Sequence, residues 1–568
     1  MSDAAAPGLA RGRRPSPFAL LSLLLALAVM ALVVYPAARM LHAVFFADGS
    51  FGFAAFGEAL GAAWLPETVV NTIVAVAGGG ACAILVAALF AWLNERTDAR
   101  LGAIGDLLPL VPLLIPAVAM SIGWIFLASP GAGFLNALIA FALEPLGLSF
   151  ELNVTSWPGV IFVYTLYFVP YAYILLSAAL RNVDPALEEA SRLSGAGVWR
   201  TFLKVTLPAV KPAVIGAALL IVVVGVSLYS VPVIIANRAG IDILSVRILR
   251  LLTFSYPPRT DQAVVLSILM LVAISLVWVL QRHVLAGGHF ATIGGRGARS
   301  GLVELGPWRW PARICMLGFL ACASVLPLIA ILIVSLQPFW QPAIDPSTLT
   351  FANYQQVLFA SPVTRQGLQN SLLLGAAGGF IGMAAAAILA LYIRRDPGPF
   401  GRFVDGVTKL PAALSHIVIA VGFLVAFGGP PFHLSGTLLL LLIAYLVIYL
   451  PEASIAANTA VAQIGRDLLE ASATSGASEG RTFRKIVVPL MLPGLIGGWA
   501  LLFVLMAGEL TASSLLAGVG TPVIGFVILD IWEQGTFGQL AALAGTYTLL
   551  TSLVVLVAVR FGRGRLPR

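Results

Sequence analysis

Long apolar runs alternate with short polar segments along the whole chain. Twelve runs reach about 20 residues, enough for a helix to cross a hydrocarbon core. They fall at roughly 18–38, 69–93, 107–128, 157–180, 212–236, 263–281, 313–335, 370–393, 410–428, 436–457, 492–517 and 538–560. The pattern predicts an all-α membrane protein with about twelve transmembrane helices. Composition agrees, since 60% of residues are hydrophobic and 10% charged, with mean hydropathy +0.98, too apolar for a soluble surface. The first run follows Arg11, Arg13 and Arg14, as in a signal peptide. Its apolar stretch, Phe18 to Pro36, outruns a signal core and no small-x-small site follows, so a retained helix is expected.

One polar segment is written twice. Residues 187–212 read LEEASRLSGAGVWRTFLKVTLPAVKP, and 468–493 read LLEASATSGASEGRTFRKIVVPLMLP. Glu189, Ala190, Ser191, Ser194, Gly195, Thr201, Phe202, Lys204, Pro208 and Pro212 recur 281 positions on, as Glu470, Ala471, Ser472, Ser475, Gly476, Thr482, Phe483, Lys485, Pro489 and Pro493. The likeness spreads outward. Asn71-Thr72 opens a run that Asn370-Ser371 opens again, and VPLLIPAVAMSIGW (111–124) matches LPAALSHIVIAVGF (410–423), both at offset 299. The first half therefore carries extra residues near 127–153, room for a short helix. Two six-helix repeats in parallel orientation are expected, related by an axis along the membrane normal. The domains read as a tail 1–17, a first half 18–285 (core about 67–281), a linker 286–311 and a second half 312–568 (core about 366–560).

The net charge of +8 bears on orientation rather than on nucleic acid. If the N-terminus is cytoplasmic, only Arg39, Arg238, Arg247, Arg250, Arg259 and Arg365 of the 33 Lys and Arg face outward. That asymmetry predicts both termini and both repeated loops inside.

Each repeated loop suits a helix over 185–194, a glycine turn, and a second helix over 198–206 closed by Pro208, with Pro212 opening the next membrane helix. Gly195 would stand where a side chain obstructs the reversal. Lipid contact does not demand two copies with matched Glu, Gly, Phe and Pro; docking into a protein groove does.

Both loops resemble the EAA loop of type I ABC importer permeases, EAA-x3-G-x9-I-x-LP. The matches are Glu189-Ala190-Ser191, Gly195, Val205 and Leu207-Pro208, then Glu470-Ala471-Ser472, Gly476, Ile486 and Val488-Pro489. Ser replaces the third Ala in both copies. WIFLASPGAGFLN (124–136), LGPWRWPA (305–312) and LTFANYQQVL (349–358) further resemble the fused double permeases of the ferric-iron importers. Thiamine, aminophosphonate and polyamine permeases are the alternatives. The resemblance implies the type I ABC importer fold in the bacterial inner membrane. It implies that Glu189, Ala190, Gly195, Phe202, Pro208, Glu470, Ala471, Gly476, Phe483 and Pro489 dock two copies of a cytoplasmic ABC ATPase. ATP would bind that partner, with no cofactor in this chain, and a periplasmic substrate-binding protein would deliver the substrate. The sequence contains no GxxxxGK[ST] phosphate loop.

Polar residues within apolar runs are few. Glu509, deep in the eleventh run, is either a pathway group easing a cation through or a structural hydrogen-bonding partner. Its counterpart is Leu228. His416, whose counterpart is Ala117, reads as a lone core histidine, and Cys82, Cys315 and Cys322 as core packing. No His spacing suits a metal and no nucleophile–His–acid set suggests an enzyme. An ion-coupled secondary transporter explains twelve helices equally well but not the matched loops. Reporter fusions after Arg200, Gly295 and Arg481 should report cytoplasm, and fusions after Asp48, Leu148 and Asp345 periplasm. A periplasmic signal at Arg481 would contradict parallel repeats.

Overall fold

The structure, a computed structural model, describes residues 17–46, 50–102, 105, 108–287, 302–395, 398–465, 468, 471, 472 and 474–563. The N-terminal tail, most of the expected linker and Glu470 lie outside the described residues. Among those described, the ordered elements are helical, apart from an isolated bridge between Thr97 and Val303.

The first half contains α1 (Pro17–Phe45), α2 (Leu65–Arg96), α3 (Ala117–Ala128), α4 (Phe134–Leu143), α5 (Trp157–Asn182), α6 (Pro185–Leu193), α7 (Val198–Ser227), α8 (Leu244–Thr253) and α9 (Thr260–Gly287). The second contains α10 (Gly306–Leu336), α11 (Pro362–Arg395), α12 (Pro399–Lys409), α13 (His416–Phe427), α14 (Leu438–Ile448), α15 (Leu450–Ala462), α16 (Phe483–Ala507), α17 (Ser513–Leu516), α18 (Ile524–Gln534) and α19 (Phe537–Arg563). Among the described residues, nine helices are long and apolar enough to span, or eleven if each of two bent pairs counts once.

The expected third span, 107–128, is not continuous. A tight turn over Leu108–Leu114 precedes α3, because Pro109, Pro112 and Pro116 each lack an N–H and crowd the preceding turn. The repeat breaks too: the chain bends by 98° before α13, where Ser415 caps the new helix by accepting from Val418 N at 3.2 Å. The runs expected to reach 236 and 517 stop as regular helices at Ser227 and Ala507. The helices that follow the breaks are capped from α2 and α11. Thr72 Oγ1 accepts from Leu244 N at 3.0 Å, and Ser371 Oγ from Ile524 N at 2.8 Å. The repeated Asn-Thr and Asn-Ser thus supply matched hydroxyls where hydrocarbon offers no other partner.

Within each half, glycines allow close helix approach. A Cβ on Gly79 would lie 2.5 Å from Tyr164 Cβ, and one on Gly375 2.9 Å from Phe503 O. Cys82 and Cys315 are exposed on the bundle surface rather than packed inside, since their helices turn those faces outward.

Each half also lends its first helix to the other. Helix α1 packs on α13, and α10 packs on α3. The contacts match: a Cβ on Gly422 would meet Pro36 Cβ at 3.2 Å, and one on Gly123 would meet Pro327 Cβ at 2.5 Å and Pro327 O at 2.6 Å. Trp124 Nε1 donates to Cys322 O at 3.0 Å across the same seam. Gly123→Val forces backbone against backbone. A loss of about 1–3 kcal/mol is expected, seen as a lowered Tm of the purified protein, while Gly406→Val, with nothing within 4 Å of its Cβ position, leaves Tm unchanged.

Two elbows and an intramembrane polar cluster

Asp184 starts the first elbow, its Oδ1 accepting from Ala186 N at 2.9 Å, with Pro185 in the first turn. Helix α6 ends in a Schellman turn: Gly195 N donates to Arg192 O (2.9 Å) and Ala196 N to Ser191 O (3.1 Å). Gly195 has φ +84° and Gly476 φ +73°, and a Cβ on either would meet nothing within 4 Å. Glycine is therefore required by left-handed backbone, not by crowding as the sequence suggested.

A hydroxyl pair pins each elbow shut. Ser191 Oγ lies 3.0 Å from Thr201 Oγ1, and Ser472 Oγ lies 2.7 Å from Thr482 Oγ1. The Ser that departs from the importer pattern in both copies is one member of each pair. Ser194 and Ser475 back-bond to Ala190 O and Ala471 O at 2.8 and 2.7 Å.

Pro208 and Pro489 do not close the second elbow helix. A single π turn, Phe202–Thr206 or Phe483–Val487, precedes the proline and widens the coil around its ring. The helix then continues, so elbow and membrane helix form one rod in α7 and in the segment leading through α16.

The first elbow is anchored by a residue the repeat concealed. Glu188, only 3% exposed, accepts from Arg96 Nε at 3.3 Å and from Thr206 Oγ1 at 2.9 Å. Arg96 also donates to Leu180 O and Val183 O at 2.7 and 2.8 Å. In the second half Arg394 donates to the corresponding carbonyls, Val461 O and Ile464 O. In the sequence, Leu469 stands at the position that Glu188 holds in the first copy. Comparing the copies could not reveal a residue present once.

The remaining elbow positions divide. Phe202 is half-buried on Trp92 and Trp199, with ring centroids 5.7 and 5.6 Å away, and ties the elbow to the bundle. Phe483 is exposed. Glu189, Ala190, Pro208, Ala471 and Pro489 are exposed, as are Leu187, Leu193 and Trp199, the last two 90% and 69% open. That is an uncovered apolar patch rimmed by Glu189, Arg200 and Lys204.

Glu509 lies just past the end of α16, not deep within a continuous helix. Its carboxylate accepts from the backbone N–H of Thr511 (3.1 Å), Ala512 (2.7 Å) and Ser513 (3.0 Å), capping the short α17. His416 is not isolated in the core: its Nδ1 lies 3.5 Å from Glu509 Oε1, its side chain is 36% exposed, and its ring meets Tyr449 edge-on at 5.3 Å. Both residues stand out in the sequence, but 93 positions separate them and nothing in it joins them. Asp530 and Glu533 are exposed at the end of α18, as solvation requires.

Broken, cross-packed helices with a duplicated elbow define a multi-pass transport permease. The chain belongs to the family of binding-protein-dependent transport system inner membrane components, which it matches over residues 79–286 and 378–564. The ferric transport system permease protein FbpB of Actinobacillus pleuropneumoniae is 22% identical over 545 residues, covering 95% of this chain and 77% of that protein. A protein of Sinorhizobium fredii named as an ABC transporter permease, y4fN, is 28% identical over 472 residues, 80% of each chain. A protein of Salmonella paratyphi A named as a 2-aminoethylphosphonate transport system permease, PhnV, is 26% identical over 238 residues, 42% of this chain and 89% of that one.

Three buried N–H groups depend on Glu509. Glu509→Leu leaves them unpaired at about 1–3 kcal/mol each, so a sharp fall in folded yield and Tm is expected. Glu509→Gln keeps an acceptor and should fold. Equal Tm for Leu and wild type would refute the capping role.

Proposed function

We propose that this chain is the transmembrane permease subunit of an ABC importer for ferric iron and forms its translocation pathway. Its elbows dock one each into two copies of a separate cytoplasmic ATPase, and a periplasmic binding protein hands the ion to the opposite face. Both termini lie in the cytoplasm. The observation that carries the coupling is the matched elbow: the same Schellman glycine, hydroxyl pin and π turn occur twice, each leading without interruption into a membrane helix. The exposed Leu187, Leu193 and Trp199 supply the apolar surface such docking buries. An ATPase stroke that tilts an elbow must tilt the attached rod, since the π turn preserves helical continuity. A secondary transporter has no use for two such levers.

Iron is favoured by relatives named for ferric transport that align along nearly the full chain. The aminophosphonate reading rests on a match to less than half of it.

Replacing Gly195 or Gly476 by Leu puts a side chain on left-handed backbone, costing about 1–2 kcal/mol locally. Each elbow should deform while membrane insertion persists. In the double variant, ATPase co-purification and uptake of radioactive ferric iron are both expected to be lost. Wild-type uptake would end the docking proposal.

A further inference from the structure

The phrase LGPWRWPA (305–312) lies where the chain enters α10, and neither the elbows nor the helix breaks use it. A clasp with the end of α2 fixes its place. Val303 N donates to Arg96 O at 2.9 Å, and Asp98 N to Val303 O at 3.1 Å. Leu305 N donates to Asp98 Oδ1 at 2.9 Å. Arg313 donates through Nε and Nη2 to Ala99 O and Asp98 O, both at 3.1 Å. Arg96 also anchors the first elbow, so the segment stands on the elbow side of the bundle.

Trp308 and Trp310 are 72% and 56% exposed. Trp310 heads an exposed apolar stripe that runs down α10 through Ile314, Leu317, Val325, Ile329 and Leu332. From Trp310 to Leu332 the helix rises about 33 Å, close to the hydrocarbon thickness of about 30 Å. With Leu332 at one edge of the hydrocarbon, Trp310 falls at headgroup level on the other. Charge gathers at the same level. Arg309 Cζ lies 5.7 Å from the Trp310 ring centroid and Arg313 Cζ 5.3 Å, so one ring holds two guanidinium groups. The carbonyls that Arg313 bonds carry no charge to neutralise it. Arg309 is exposed and makes no hydrogen bond or ion pair among the described residues. Exposed Arg100 adds a third positive charge, against the carboxylates of Asp98 and Glu304.

We propose that Trp308, Arg309 and Trp310 form a headgroup site for an anionic phospholipid in the leaflet on the elbow side. The forked donors of Arg309 take the phosphate oxygens. The two indoles flank it at the depth where an apolar ring with a polar edge is most stable. The acyl chains lie along the α10 stripe. A free phosphate would use the guanidinium alone, whereas a lipid uses the guanidinium, the indoles and the stripe together. Through the clasp, whatever holds this segment also bears on Arg96 and so on the first elbow. The site depends on the membrane-spanning fold and not on the iron reading.

The test titrates phosphatidylglycerol or phosphatidylcholine into the full chain in detergent micelles and counts bound lipid by native mass spectrometry. The wild type is expected to bind its first phosphatidylglycerol about tenfold more tightly than phosphatidylcholine, the worth of one charge-assisted contact. Arg309→Gln should erase that preference. Arg402→Gln, which removes an exposed charge from α12, should keep it. Equal affinities in the wild type overturn the site, as does a preference that survives Arg309→Gln. A preference lost equally in Arg402→Gln reports net charge alone and overturns it too. Inorganic phosphate at matched ionic strength should not raise Tm, whereas phosphatidylglycerol should; equal shifts would mean a soluble-anion site and overturn the lipid assignment. Should Arg309→Gln fail to fold, brominated phosphatidylglycerol decides. It is expected to quench the Trp308 emission, read as the difference between wild type and Trp308→Phe, and an unquenched difference overturns the proposal.

Discussion

Hydrocarbon gives a broken helix nothing to bond with, and this structure depends on how it meets that constraint. Where helices must bend, a side chain takes over the freed backbone groups. Thr72 and Ser371 do so for the helices after the breaks, Ser415 for the start of α13, and Glu509 for α17. Each device draws a polar atom into the bilayer. The polar cluster therefore gathers at the bends, while the unbroken helices stay apolar.

The elbows obey a second logic. Outside the membrane, water can solvate a loop, so a fixed shape needs internal ties. The Schellman glycines, the Ser–Thr pairs and the π turns provide them twice over. The halves are not equal, however. Glu188 locks the first elbow to Arg96, and the sequence of the second copy carries Leu469 at the matching position. A two-fold partner thus meets two levers alike in shape but not in sequence.

The repeat made much of this legible before any coordinates. It located both elbows, their glycines and the short helix α4 in the longer loop. It also paired Ser191 with Ser472 and Thr201 with Thr482, although the hydroxyl contact within each elbow was not inferred. Continuous apolar runs hid the breaks, because hydropathy records how apolar a segment is and not whether its backbone is straight. The prolines at 109, 112 and 116 carried that signal. Glu188 was overlooked because it has no copy. The His416–Glu509 contact was unreadable, since only tertiary packing brings the ninth and eleventh runs together.

The exchange of first helices has a consequence for synthesis. Helix α1 ends at Phe45, but its partner surface begins at His416, about 370 residues later. At ribosomal rates of about 5–20 residues per second, α1 waits tens of seconds in the bilayer with Pro36 and Met40 facing lipid. The first half cannot finish its own packing until α10 arrives to cover Gly123. Insertion and folding are thus separated in time, and a chain arrested midway leaves an incomplete surface that quality-control proteases can recognise.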